Sequence, residues 1–178
     1  MIKLYPISKG KFGKPILEVN NFTDGLRFKQ VSFKLKRGEI LGIAGVVGSG
    51  RSELAQSIFG INPSKGGSIK IDEKEVSIKK PKDARNLGIA YIPEDRGTQG
   101  LVKEMKISHN VSMANLDREA NGILIIFKKE MQNAINAINK LGIRARNALQ
   151  LVRQLSGGNQ QKVVAVSYTH LTLPTNSG

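Results

Sequence analysis

The chain has 178 residues, 39% hydrophobic and 24% charged, with a formal net charge of +14 and no cysteine. Such a length supports one domain with a real core rather than two; the missing cysteines exclude disulfides and thiolate metal sites, and no apolar run approaches the ~20 residues that span a bilayer. The 28 basic residues are spread from Lys3 to Lys162 without a dense block or aromatic interleaving, which fits a solvated surface and argues against a nucleic-acid partner.

Residues 1–15 carry Lys3, Lys9, Lys11 and Lys14 but no apolar segment or small-residue cleavage site, so they read as a linker, and a cytosolic location is expected. Residues 16–20 and 28–36 alternate apolar and polar, with Val31, Phe33 and Leu35 on one face, the pattern of half-buried antiparallel strands. After a turn at Lys36-Arg37-Gly38-Glu39, the run Ile40-Leu41-Gly42-Ile43-Ala44 predicts a strand buried on both faces. It leads into Gly45-Val46-Val47-Gly48-Ser49-Gly50-Arg51-Ser52, and then Leu54, Ala55, Ile58 and Phe59 recur at helical spacing up to Gly60.

Short alternating strands are expected around Ile69, Ile71 and Val76, and a second buried strand over Gly88-Ile89-Ala90-Tyr91-Ile92, ended by Pro93. Residues 103–116 and 127–141 then read as helices. In the second, Met131, Ala134, Ile135, Ile138 and Leu141 form one core-facing stripe, and Gly142 is the stop. A mostly helical insert over about 97–154 thus precedes Leu155-Ser156-Gly157-Gly158-Asn159-Gln160-Gln161, which opens a last helix through about residue 166. The text beyond Ser167 follows no period, and we expect 167–178 to be an aberrant tail.

Three glycines in six residues, Gly45, Gly48 and Gly50, let the backbone turn successive N–H groups toward phosphate oxygens while the helix that follows offers its positive end. The phosphate-loop pattern asks for Lys and then Ser or Thr after the last glycine, and Arg51 departs from it while Ser52 does not. Ser52 is placed to put its hydroxyl on Mg²⁺, and position 51 to reach the β- and γ-phosphates. A second anion-seeking helix start stands at Leu155-Ser156-Gly157-Gly158, a string that without its helix would read as a linker.

With Tyr91-Ile92-Pro93-Glu94-Asp95-Arg96 between them, these two stretches resemble the nucleotide-binding domain of ABC transporters. The likeness runs over about residues 16–166 and is similar in detail to the second, C-terminal ATPase domain of bacterial monosaccharide importers of the ribose, galactose and xylose type. It implies an α/β fold: a P-loop NTPase (RecA-like) core, an N-terminal antiparallel β subdomain and an inserted helical subdomain, with the C-terminal part of the core missing.

The resemblance also implies ATP and Mg²⁺ as ligands, a nucleotide site of Gly45, Gly48, Ser49, Gly50, Arg51, Ser52 and Glu94, and Mg²⁺ donors Ser52 and Glu94. Leu155, Ser156, Gly157, Gly158 and Gln160 become a signature loop that closes on the ATP of a second nucleotide-binding domain. Transmembrane permease subunits and, indirectly, a sugar-binding protein are the other partners, at the cytoplasmic face of a bacterial membrane. In such domains the C-terminal half carries Arg where Lys is usual, and Glu94 stands where a Gln is usual. Of the aromatics upstream of the phosphate loop, Phe22 and Phe28 read as core rather than as an adenine platform.

The family's catalytic carboxylates and switch His follow the signature loop, whereas Asn159 to Gly178 contain neither Asp nor Glu, and His170 falls too soon. The expectation is an own site that holds ATP more than it hydrolyses it, in a truncated chain that is inactive alone. Two alternatives are a soluble ABC-type ATPase acting on nucleic acid or the ribosome, which Arg51 and Glu94 disfavour, and a non-catalytic nucleotide-binding regulator.

Overall fold

Period-two alternation in the first third of the chain becomes a four-stranded antiparallel sheet in the computed structural model, which describes residues 12–113, 120–121, 124–125 and 127–169. Most of the expected linker, and the expected tail from His170 onward, lie outside the described residues. The chain divides into two compact units, Met1–Leu87 and Gly88–Gly178.

In the first unit, β1 (Pro15–Thr23), β2 (Val31–Lys36), β3 (Gly66–Ile71) and β4 (Lys74–Val76) lie in the order β2-β1-β3-β4. Val19 sits opposite Phe33 on one side and Ile69 on the other, and Ile69 opposite Val76. That row buries Val19 and Ile69, the kind of cross-strand apolar pairing that fixes register. Phe22 and Phe28 are buried with stacked rings 5.9 Å apart, so both belong to the core. Helix α1 (Arg51–Ile58) buries Leu54 and Ile58. A short helix, α2 (Pro81–Asn86), went unexpected; Pro81 opens it and Asp83 Oδ2 accepts from the N–H groups of Lys79 and Lys80.

The second unit contains a single π-helical turn (Arg96–Gly100), α3 (Ile107–Met113), the small pair β5 (Ala120–Asn121) and β6 (Leu124–Ile125), α4 (Phe127–Leu141), a 3₁₀ turn (Val152–Gln154) and α5 (Gly157–Thr169). Its core joins Ile107 and Val111 of α3, Ala137 of α4, Val152, and Val163 and Val164 of α5. Ile143 N–H reaches Ile138 O at 2.9 Å after Gly142 at φ 56°, the left-handed stop that the sequence suggested for α4.

Several expectations are corrected. Neither 40–44 nor 88–92 forms a strand: among the described residues neither run has a hydrogen-bonded strand neighbour, and a parallel strand exists only through such neighbours. Ile40 is therefore 98% exposed and Ile92 54%. The helix expected over 103–116 begins at Ile107, because residues 103–106 hydrogen-bond elsewhere; its last expected residues, 114–116, lie outside the described ones. On α4 the buried seam runs through Ala134 and Ala137 while Ile135 is exposed, since small residues there allow α3 to approach closely. The last helix also continues past residue 166 to Thr169.

Segment 103–108 is held by backbone bonds to 148–153. Arg153 N–H donates to Lys103 O, Val152 N–H to Met105 O, Ile107 N–H to Gln150 O and Ser108 N–H to Ala148 O, each at 3.0 Å. Buried Asn110 locks the near side: its Oδ1 accepts from Val102 N–H at 2.9 Å and its Nδ2 faces the carbonyls of Val102 and Lys106, both at 3.0 Å. Ser167 Oγ of α5 in turn donates to Asn110 O at 2.8 Å. Truncating Asn110 leaves the Val102 N–H without its partner, while the carbonyls of Val102 and Lys106 keep their backbone donors, so Asn110→Ala should cost about 1–3 kcal/mol of unfolding free energy. Denaturant titration checks this, with amide exchange rising first over 101–106.

Candidate functional site

The first turn of α1 has nothing of its own to satisfy it. Its first helical hydrogen bond is Leu54 N–H to Gly50 O at 2.8 Å, and no side chain caps the start, so the N–H groups of Arg51, Ser52 and Glu53 precede the ladder. Those groups, with the dipole behind them, can receive an anion. Gly50 ends the loop at φ 82°, and a Cβ there would stand 2.5 Å from Arg27 O. Only glycine serves both conditions.

The rest of the loop closes over itself. Ser49 N–H donates to Val46 O at 3.1 Å, and a Cβ on Gly45 would lie 2.5 Å from Ser49 Oγ and 3.5 Å from Arg51 Cδ. The aliphatic stem of Arg51 therefore folds back along the loop. Val46 and Val47 are exposed, as are Arg51 and Ser52. Beside the loop, Asp24 Oδ1 accepts from the N–H groups of Leu26, Arg27 and Phe28. Partial desolvation pulls the Asp24 pKa up, yet those bonds and the Arg27 charge hold it below the ordinary value.

In the second unit Glu94 is exposed, one residue before a capped turn. Asp95 Oδ2 takes the Thr98 hydroxyl at 2.8 Å and its Oδ1 takes Gly97 N–H at 2.8 Å and Thr98 N–H at 3.3 Å. The Thr98 hydroxyl first, then Gly97 N–H, depress the Asp95 pKa below 3.8, with the Lys103 charge adding to them. Sequence reasoning passed over Asp95, although an Asp two residues ahead of a glycine and three ahead of a Thr is a local capping signal.

The turn at Leu155–Gly158 is built by its surroundings. Leu155 is buried and its N–H donates to Val152 O at 3.0 Å. Gln160 Nε2 donates to Leu155 O at 3.1 Å and Val152 O at 3.3 Å, and Gln160 N–H to Ser156 O at 2.9 Å opens the α5 ladder. The N–H groups of Gly157, Gly158 and Asn159 thus precede that ladder, and Ser156 is exposed beside them. The structure gathers Gly45, Gly48, Ser49, Gly50, Arg51 and Ser52 in one loop, and Leu155, Ser156, Gly157, Gly158 and Gln160 in one turn. Among the described residues no group of three or more His, Cys, Asp or Glu side chains converges to hold a metal ion.

Two phosphate-seeking helix starts in this order are the equipment of a nucleotide-binding cassette, and solved structures agree on the fold. A nucleotide-free ATP-binding cassette from an ABC transporter superposes with a TM-score of 0.72 at 21% identity, covering 89% of this chain and 66% of that one. The dimeric cassette MJ0796, in a post-hydrolysis state bound to ADP and Pi, gives 0.67 at 21% identity over 86% and 68%. The ABC transporter family model matches residues 28–170, and the chain belongs to that family. Among curated relatives, the ribose import ATP-binding protein RbsA of Clostridium tetani is 42% identical over 165 residues, 92% of this chain and 33% of that protein. RbsA 2 of Escherichia coli O157:H7 is 43% identical over 152 residues, 85% and 30% respectively. The chain thus spans about a third of the length of these relatives.

Two outcomes test the loop and the turn. Gly50→Ala should lower stability by more than about 1 kcal/mol, because strain at positive φ adds to the clash with Arg27 O; thermal melting reads it. For Asp95 the folded pKa lies below the unfolded one, so its stabilisation is full above the unfolded pKa and is lost as pH falls through the folded one. Protection of the Gly97 and Thr98 amides should fall as the pH is lowered through the depressed pKa of Asp95, and Asp95→Asn should abolish that acid dependence.

Proposed function

We propose that this chain is the second, C-terminal nucleotide-binding half of a bacterial ABC importer for a monosaccharide, ribose by the names of its relatives. It holds ATP with Mg²⁺ at its own loop and lends Leu155–Gly158 to the nucleotide of a partner domain. The observation that carries this reading is the pair of helix starts, α1 and α5, each left with N–H groups ahead of its ladder beside a glycine turn and an exposed serine.

At the first site the N–H groups after Gly48 and Gly50 bind phosphate oxygens, and Arg51 keeps its cation above them. Arg is planar and broad where Lys delivers a compact charge, which favours holding over tightening on the γ-phosphate. Bound Mg²⁺ would neutralise phosphate charge, with the Ser52 hydroxyl as its donor from the loop and Glu94 as the acidic candidate. A carboxylate at position 94 also repels the γ-phosphate. Degenerate at positions 51 and 94, this site contributes binding more than turnover.

At the second site Ser156 and the N–H groups of α5 meet the partner's ATP, and that contact supports turnover in the assembled importer. Permease subunits in the membrane, with a sugar-binding protein acting through them, place the chain at the cytoplasmic face; no described helix is long and apolar enough to cross a membrane. Ser156→Arg in the complete importer should lower ATP turnover by about 100-fold, the scale of losing a donor at a developing charge. Unchanged turnover would remove the reading.

A further inference from the structure

Asn159 lies in the Leu155–Gln161 stretch without a role assigned to it, yet its amide touches the residue that matters most. Its Oδ1 accepts from the backbone N–H of Arg144 at 3.1 Å. Its Nδ2 lies 3.4 Å from Arg144 O and 3.1 Å from Ser156 Oγ. A backbone N–H is always a donor, so its partner on Asn159 must be the amide oxygen, and the amide cannot be turned over. The nitrogen then has one hydrogen for Arg144 O and one for Ser156 Oγ.

That assignment fixes the serine proton. With a lone pair of Oγ occupied by an amide that has no acceptor to offer there, the Ser156 hydroxyl hydrogen must point away from Asn159. Ser156 is exposed, and among the described residues Oγ has no second protein partner, so the hydrogen is left for solvent or a ligand. Asn159 occupies the third position of that helix, from which a side chain ordinarily reaches back to the backbone of the cap. Here it holds the cap's side chain and, through Arg144, ties it to the segment after α4.

We infer that Asn159 is a positioning residue that keeps the Ser156 hydroxyl as a donor toward the phosphate of a bound nucleotide. The inference rests on the signature role proposed above, and a double-mutant cycle measured on the complete importer separates the two. Asn159→Asp keeps shape and the bond to Arg144 N–H but offers only acceptors, so the serine proton turns inward to it. ATP turnover should fall about 10-fold through kcat, with KM little changed, and the same substitution in a Ser156→Ala background should cause almost no further loss. Asn159→Ala, which removes the donor without adding charge, gives the same coupling if the Asp variant does not assemble.

Lys162→Met serves as the structural control. Lys162 Nζ donates to Gly142 O at 2.8 Å and pins α5 at another point, so its loss should lower the melting temperature and add independently to Ser156→Ala. Losses from Asn159 that likewise add to Ser156→Ala would overturn the positioning role and leave the signature role intact. A Ser156→Ala importer with unaltered turnover would overturn both.

Discussion

The N–H groups in the first turn of an α-helix have no partner inside it, and the starts of α1 and α5 present that deficit outward. At α1 the groups of Arg51, Ser52 and Glu53 precede the ladder, and at α5 those of Gly157, Gly158 and Asn159 do. A Ser or Asp cap would have satisfied them in the ordinary way. Instead the residue before α1 is Gly50, and Ser156 before α5 is engaged sideways by Asn159. Everything proposed about nucleotide follows from leaving these donors for a ligand, and the surrounding bonds serve to keep both starts open.

The supports differ in kind. At α1 the loop is shaped by close approach: Gly50 fits beneath Arg27 O and Gly45 beside Ser49, so side-chain volume is the controlling variable. At α5 the controlling variable is hydrogen bonding, with the 148–153 segment laddered to 103–108 and Gln160 folded over the carbonyls of Val152 and Leu155. A loop set by volume tolerates changes of charge, as Arg51 illustrates; a turn set by hydrogen bonds tolerates changes of donor less than changes of size.

Most of what local pattern encodes was legible in the sequence: the alternation of Val31, Phe33 and Leu35, the glycine loop before an amphipathic helix, the Gly142 stop and the serine-glycine turn ahead of a helix. The misreadings arose where structure depends on distant partners. Ile40–Ala44 and Gly88–Ile92 are apolar enough for buried strands, but composition carries no information on whether a neighbouring strand is present. Ile135 was assigned to the seam of α4 by hydrophobicity, whereas the close approach of α3 selected Ala134 and Ala137. Asn159 was passed over because its meaning lies at Arg144, fifteen residues away.

The ladder between 103–108 and 148–153 has one further consequence. Leu-Ser-Gly-Gly looks like a four-letter word that any helix might carry at its start. In this chain the word is the visible end of a support whose other strand, Lys103 to Ser108, was laid down much earlier, on the far side of α3 and α4. Grafting the four residues onto another helix would move the letters and leave the geometry behind. The unit that carries the geometry runs from Lys103 to α5, with the turn as its last product.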